Sequence, residues 1–186
     1  MTTTTTDLSS LTGSYTIDPS HTRIGFVARH AMVTKVRGAF NEFEGTATFD
    51  AANPAATAVT VRITAKSIDT RNAQRDEHLR GNDFLAMETY PEITFVSTAF
   101  TQTGEASFDL TGDLTVKGVT NSVTIPFAYE GAATDPFGNL RVGFEGAVTI
   151  NRKDYGVTWN AALEAGGVLV SDKITLEFEV SAIKNA

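Results

Sequence analysis

The chain contains no cysteine among its 186 residues. Disulfides, thiolate metal sites and a cysteine nucleophile are therefore excluded, and the composition is compatible with a reducing compartment. No apolar run approaches the roughly 20 residues a membrane helix needs, so no stable membrane insertion is expected. Basic residues are outnumbered: 15 Lys and Arg stand against 22 Asp and Glu, a formal net charge of -7. That balance opposes long-range attraction to nucleic acid or anionic surfaces, and nucleic acid is not an expected partner. Histidine is scarce, and no two of His21, His30 and His78 sit at a spacing that sets ligands side by side, so no metal site is expected. GxSxG is missing. The GFEG of residues 143–146 lies inside a strand pattern rather than a phosphate loop. No convincing catalytic constellation is left, and no catalytic residue is assigned.

What the sequence does hold is alternation. Apolar and polar residues alternate over 14–18, 23–30, 36–49, 59–65, 93–99, 108–116, 123–129, 142–150 and 174–182, with turn-length connections. A phase slip at Asn41 and Glu42 reads as a bulge. Strands with one apolar and one polar face predict an antiparallel sheet buried on one side. Closing that sheet into a barrel buries every apolar face together; a two-sheet sandwich gives a similar pattern. Nine candidates cannot all close with antiparallel neighbours. Either the first lies across a barrel end or two of them are one bent strand. The length and the 41% hydrophobic content suit one buried domain over 13–186, preceded by a Thr- and Ser-rich tail over 1–12 expected to be disordered.

The stretch 67–95 interrupts the alternation. Asp69 or Thr70 is expected to cap a short helix that stops at Gly81 with positive φ. Asn82 or Asp83 is expected to cap a second turn carrying Phe84, Leu85 and Met87, ended by Tyr90 and Pro91. Such short turns need an apolar surface to dock on.

This run, SIDTRNAQRDEHLRGNDFLAMETYPEITF, together with YTIDPSHTRIGFVARHAMVTKVRGAFNEFEG upstream and GDLTVKGVTNSVTIPF and NRKDYGV downstream, resembles the YceI-like family. The resemblance implies an all-β fold, an antiparallel lipocalin-like barrel of about eight strands, whose apolar lumen binds a polyisoprenoid or another long-chain lipid. It implies no reaction and no cofactor besides such a bound lipid, and it admits a homodimer. Many members are exported. The start MTTTTTDLSSLTGSY lacks a basic n-region and an apolar h-region, so a cytoplasmic location is expected here.

Within the inward phase, the small residues Ala28, Gly38, Ala65, Ala99, Gly112, Gly146 and Ala182 predict a hollow interior, or else bends and close backbone approaches. The expected lumen lining is Ile24, Phe26, Phe40, Ile63, Phe84, Phe95, Phe108, Leu110, Gly112, Leu114, Phe127, Phe144, Trp159, Leu176 and Phe178. The longest connections fall at the barrel end reached by His30, Asp69 and Arg152, which is expected to be the mouth. His30, Asp69, Arg75, His78 and Arg152 are candidates to meet a polar head group there, with Lys35 and Arg37 nearby; a phosphate would favour the arginines. A rim of salt bridges with Asp76 and Glu77 is the plainer alternative. The expected function is a carrier or reservoir for an isoprenoid or other long-chain amphiphile. Two alternatives stand beside it: an enzyme using Asp76 and His78 as acid and base on a lipophilic substrate, and a protein interaction module.

Overall fold

The computed structural model describes residues 8–164 and 166–186. Its strands are β1 (Gly13–Ile17), β2 (Arg23–His30), β3 (Thr34–Phe40), β4 (Phe43–Phe49), β5 (Ala58–Thr64), β6 (Ile68–Asp69), β7 (Glu92–Gln102), β8 (Ser107–Val116), β9 (Val119–Thr134), β10 (Leu140–Asn151) and β11 (Lys173–Lys184), with one helix, α1 (Ala73–Arg80). These segments make eight strands, because three of the strands are broken. Both β1 and β2 pair antiparallel with β11, Ile17 opposite Ala182 and Arg23 opposite Glu179, so they are halves of one strand interrupted by the turn at Pro19. In the next strand β3 pairs with β2 and β4 with β1. In the third, β5 runs through a single 3-10 turn, Ala65–Ser67, into β6. Pairing of β1 with β11 closes an antiparallel barrel of eight strands. Of the two ways out of an odd strand count, the bent strand is therefore the one adopted, since an even number lets every neighbour run antiparallel.

The expected bulge at Asn41 and Glu42 is a two-residue break between β3 and β4. There the backbone pairs with the third strand instead: Asn41 N–H donates to Ser67 O at 3.2 Å and Thr64 N–H to Glu42 O at 3.0 Å. A bulge that does occur overturns the inward placement of Ala99. Ser97 faces Gly112 but Ala99 faces Thr111, so Thr98 is the extra residue. Beyond it the phase reverses, Ala99 is exposed and Phe100 takes the inward position opposite Leu110.

The stretch 67–95 folds at the expected end with different details. Asn72, not Asp69 or Thr70, caps α1, its side chain accepting from Arg75 N–H at 3.0 Å. Gly81 ends the helix at φ -78, without a left-handed residue. The second helix is replaced by linked turns, with Ala86 N–H donating to Gly81 O at 2.8 Å and Ala86 itself at φ 46. At the opposite end, Leu8–Leu11 forms a 3-10 turn within the stretch 1–12 expected to be a disordered tail; residues 1–7 lie outside the described residues. Leu8 and Leu11 are three apart and share a face of that turn. They pack with Tyr15, Phe49, Val142, Phe144 and Ala182, and the Tyr15 hydroxyl donates to Leu11 O at 2.6 Å.

Candidate functional site

The barrel encloses a lumen of about 360 Å³ that runs from Leu8, Leu11 and Phe49 at one end to Leu79, Phe84, Leu85 and Val157 at the other. Every expected lumen residue lines it except Gly112 and Trp159. Strand alternation supplies the wall, as period 2 dictates. Residues that the sequence did not flag also line it: Leu11 through the ordered turn, Phe100 through the bulge, Tyr155 and Val157 through the loop after β10. An aromatic at position 100, adjacent to an inward-phase alanine, is the one signal that pointed to the bulge.

The inward glycines do not leave space of their own. A Cβ on Gly38 would lie 2.7 Å from Phe26 Cε1, and one on Gly146 would lie 2.6 Å from Phe127 Cδ1. Phe26 and Gly38 are directly opposite across β2 and β3, as are Phe127 and Gly146 across β9 and β10. Each ring thus lies over a neighbouring glycine, against the wall. Glycine there allows the close approach, and the centre stays open because the rings are seated at its edge.

At the end carrying α1, the lumen meets a vestibule of about 640 Å³ bounded by the β2–β3 hairpin, α1 and the 159–170 loop. Phe26, Ala28, Leu79, Phe84 and Val170 border both spaces. His30, Arg75, His78 and Trp159 all line the vestibule, so the fold brings together three of the five head-group candidates. The His78 ring meets Phe84 and Trp159 edge-on, centroids 5.0 and 4.8 Å apart, and its Nε2 lies 2.9 Å from Asp83 Oδ2. Arg75 is oriented by Thr70, donating from Nε to Thr70 Oγ1 and from Nη2 to Thr70 O, each at 2.7 Å.

The other two candidates are placed differently. Arg152 is buried, and its guanidinium donates to Ser171 O at 2.9 Å, Val157 O at 2.8 Å and Trp159 O at 2.9 Å. Burial presses its pKa down, and Asp172 at 3.8 Å opposes that effect. Its donors hold the loop in place rather than await a ligand. Asp69 borders neither cavity; it is exposed, and the Arg71 N–H followed by the Asn41 amide holds its carboxyl below the ordinary value. Nor does Asp76 stand beside His78 as an acid–base partner. It is buried and accepts from both the backbone N–H and the hydroxyl of Thr70, which ties α1 to the preceding strand. Arg37 lies on the outer wall near Glu177, at 3.9 Å.

A UPF0312 protein of Ectopseudomonas mendocina is 40% identical over 151 residues, 80% of this chain and 79% of the relative. Another, from Pseudomonas aeruginosa, is 42% identical over 150 residues, 80% of this chain and 78% of its own. Among solved structures, BcnA of Burkholderia cenocepacia superposes with a TM-score of 0.78 at 25% identity, covering 89% of this chain and 98% of BcnA. A polyisoprenoid binding domain from Saccharophagus degradans, implicated in plant cell wall breakdown, shares the fold at a TM-score of 0.70 and 15% identity, over 92% of this chain and 98% of that domain. Residues 15–182 match the YceI-like domain, and the chain belongs to the YceI-like family.

Proposed function

We propose that the barrel binds a long-chain isoprenoid or another lipid amphiphile, its chain in the lumen and its polar end in the vestibule, and acts as carrier or reservoir for it. The lumen wall is the observation that carries this reading. Among its described lining residues only Arg152 is charged, and that guanidinium is committed to backbone carbonyls. Such a wall has no hydrogen-bond code to read a polar substrate. It rewards length, since each buried CH₂ contributes about 0.8 kcal/mol. The lumen volume of about 360 Å³ falls within the roughly 300–1,000 Å³ of ordinary ligand sites. In the vestibule, Arg75 and the two histidines supply donors for an anionic or carbonyl-bearing head, and Trp159 supplies a flat apolar face. The fold shared with a domain described as polyisoprenoid binding fits the same ligand class.

Native mass spectrometry of the purified protein tests this directly. The expected result is one extractable chain per barrel, and a prenyl or acyl probe that quenches or shifts the emission of Trp159, the sole tryptophan. A barrel that is isolated empty and takes up no prenyl or acyl probe overturns the reading.

A further inference from the structure

Charge on this protein is unevenly placed. Between Thr22 and Asn41 the sequence carries Arg23, Arg29, Lys35 and Arg37 and no acidic residue, in a chain of net charge -7. That stretch is the β2–β3 hairpin, and its turn stands at the vestibule rim: Arg29 and His30 line the vestibule, and Ala31 N–H donates to Leu169 O at 2.8 Å. The turn puts Ala31 and Met32 at positive φ, 51 and 60, an uncommon choice of residues for that conformation. Met32 is 56% exposed and Val33 76%, with Val168 at 37% on the adjoining loop. Immediately behind them, Arg29 and Lys35 are directly opposite each other across the hairpin. Like charges so placed disfavour the pairing. Neither forms an ion pair among the described residues, whereas Arg23 and Arg37 lie 3.6 and 3.9 Å from Glu177. The adjoining turn adds one acid, Glu164, and α1 and the turn after it add Glu77 and Asp83 across the vestibule, so the basic character is that of the hairpin itself.

We propose that this hairpin tip docks the barrel mouth on an anionic phospholipid surface. Met32, Val33 and Val168 enter among the head groups, while Arg29 and Lys35 meet lipid phosphates. Apolar side chains flanked by unpaired cations match a surface that layers phosphate over hydrocarbon. A second copy of the chain is a poorer match, because a two-fold contact through this tip sets the same cations against each other. Among the described residues no helix is long and apolar enough to cross a membrane, and a tip of three apolar side chains makes the contact peripheral and reversible. The proposal rests on the lipid-binding reading above: a chain drawn from the bilayer would enter the vestibule without crossing water. Phe137, 88% exposed, belongs to the turn at the opposite end and stands alone there.

Cosedimentation with phosphatidylcholine vesicles, with and without phosphatidylglycerol, tests the docking surface. The expected result is binding to the anionic vesicles only, weakened by salt. Each basic residue near such a surface is worth about fivefold in partitioning, so Arg29→Glu with Lys35→Glu should weaken it by about 25-fold or more. Val33→Glu should weaken it at both low and high salt, and more at low salt, where the added carboxylate is unscreened. Arg62→Glu, on the barrel wall between Glu44 and Glu92, should leave it intact. An equal loss in Arg62→Glu, no loss in the hairpin variants, or a change of oligomeric state in Val33→Glu overturns the proposal. Wild-type protein that carries lipid yet ignores anionic vesicles overturns the docking surface alone. Protein that binds vesicles through the hairpin but holds no lipid keeps the docking surface and removes the lipid-binding reading.

Discussion

Phe95 lies over Gly112: a Cβ on Gly112 would sit 2.7 Å from Phe95 Cε2 and 2.6 Å from the carbonyl oxygen of Val96. The second contact is with backbone, which cannot swing aside. Gly112→Ala is therefore expected to destabilise the barrel by about 1–3 kcal/mol, and Gly112→Phe to disrupt folding rather than only block ligand entry. Gly143→Ala is the control, since a Cβ there meets nothing closer than 3.7 Å. Denaturant midpoints of the three variants check the expectation, and a stable Gly112→Ala barrel would refute the seat assigned to Phe95.

Phe84 is buried yet borders both the lumen and the vestibule. Truncating it joins two existing spaces rather than opening a sealed one, so the cavity penalty is reduced. Phe84→Ala is expected to lose less than the about 3–5 kcal/mol of an aromatic truncated inside a closed core. Ligand dissociation should accelerate more than that loss accounts for, because the turns between Gly81 and Pro91 can open without unfolding the sheet. Stopped-flow release of a prenyl probe and denaturant unfolding of the same variant decide it: a large stability loss with an unchanged off-rate assigns Phe84 to the core alone.

Arg152 holds the 152–172 loop through three backbone carbonyls within 2.9 Å. Arg152→Met strips their donor and is expected to cost about 1–3 kcal/mol, the scale of leaving buried polar groups unsatisfied. Arg152→Lys should recover only part of it, because an ammonium cannot span the arc that the planar guanidinium covers. Hydrogen exchange should show faster opening confined to that loop. Full stability in Arg152→Met would return the residue to the head-group candidates.

Arg141 joins the β1–β2 turn to the turn between β9 and β10, with Nη1 2.6 Å from Asp18 Oδ2 and Nε 2.8 Å from Asp135 Oδ2. The Arg141 guanidinium and then His21 lower the Asp18 pKa to about 2; the Asn139 N–H and then Arg141 lower that of Asp135 to about 2. Both carboxyls release protons more readily in the folded than in the unfolded chain. Their contribution to stability is therefore complete above the ordinary value of 3.8 and is lost as pH falls from there through about 2. Carboxyl NMR titrations should find both groups low, and Arg141→Gln should raise both and flatten the acid loss of stability. Unchanged titrations in that variant would remove Arg141 as the cause.

The legible part of the site was the part written in period 2. Ile24, Phe26, Phe108, Leu110, Leu114 and Phe178 alternate along their own strands, and that alternation needs no knowledge of the neighbouring strand. His30 and Arg75 were legible as rim residues because strand direction, counted along the chain, assigns each loop to an end. Phe100 escaped, since its direction depends on an extra residue at Thr98 that only the register against β8 reveals.

The sequence by itself determined an antiparallel, one-sided sheet, the end at which the helical segment sits, and the apolar character of the enclosed space. Tertiary structure decided what pairing between distant residues controls. It made eight strands from nine candidates, because β1 and β2 share one partner, β11. It turned the inward glycines into ring seats, because Phe26, Phe95 and Phe127 come from other strands. It withdrew Arg152 and Asp76 from the mouth, because each is saturated by partners whose positions depend on how a loop folds back: Val157, Trp159 and Ser171 for Arg152, and Thr70 for Asp76. Alternation is a local property of a chain, whereas hydrogen-bond demand at a buried charge is met by whatever the closed barrel brings within about 3 Å.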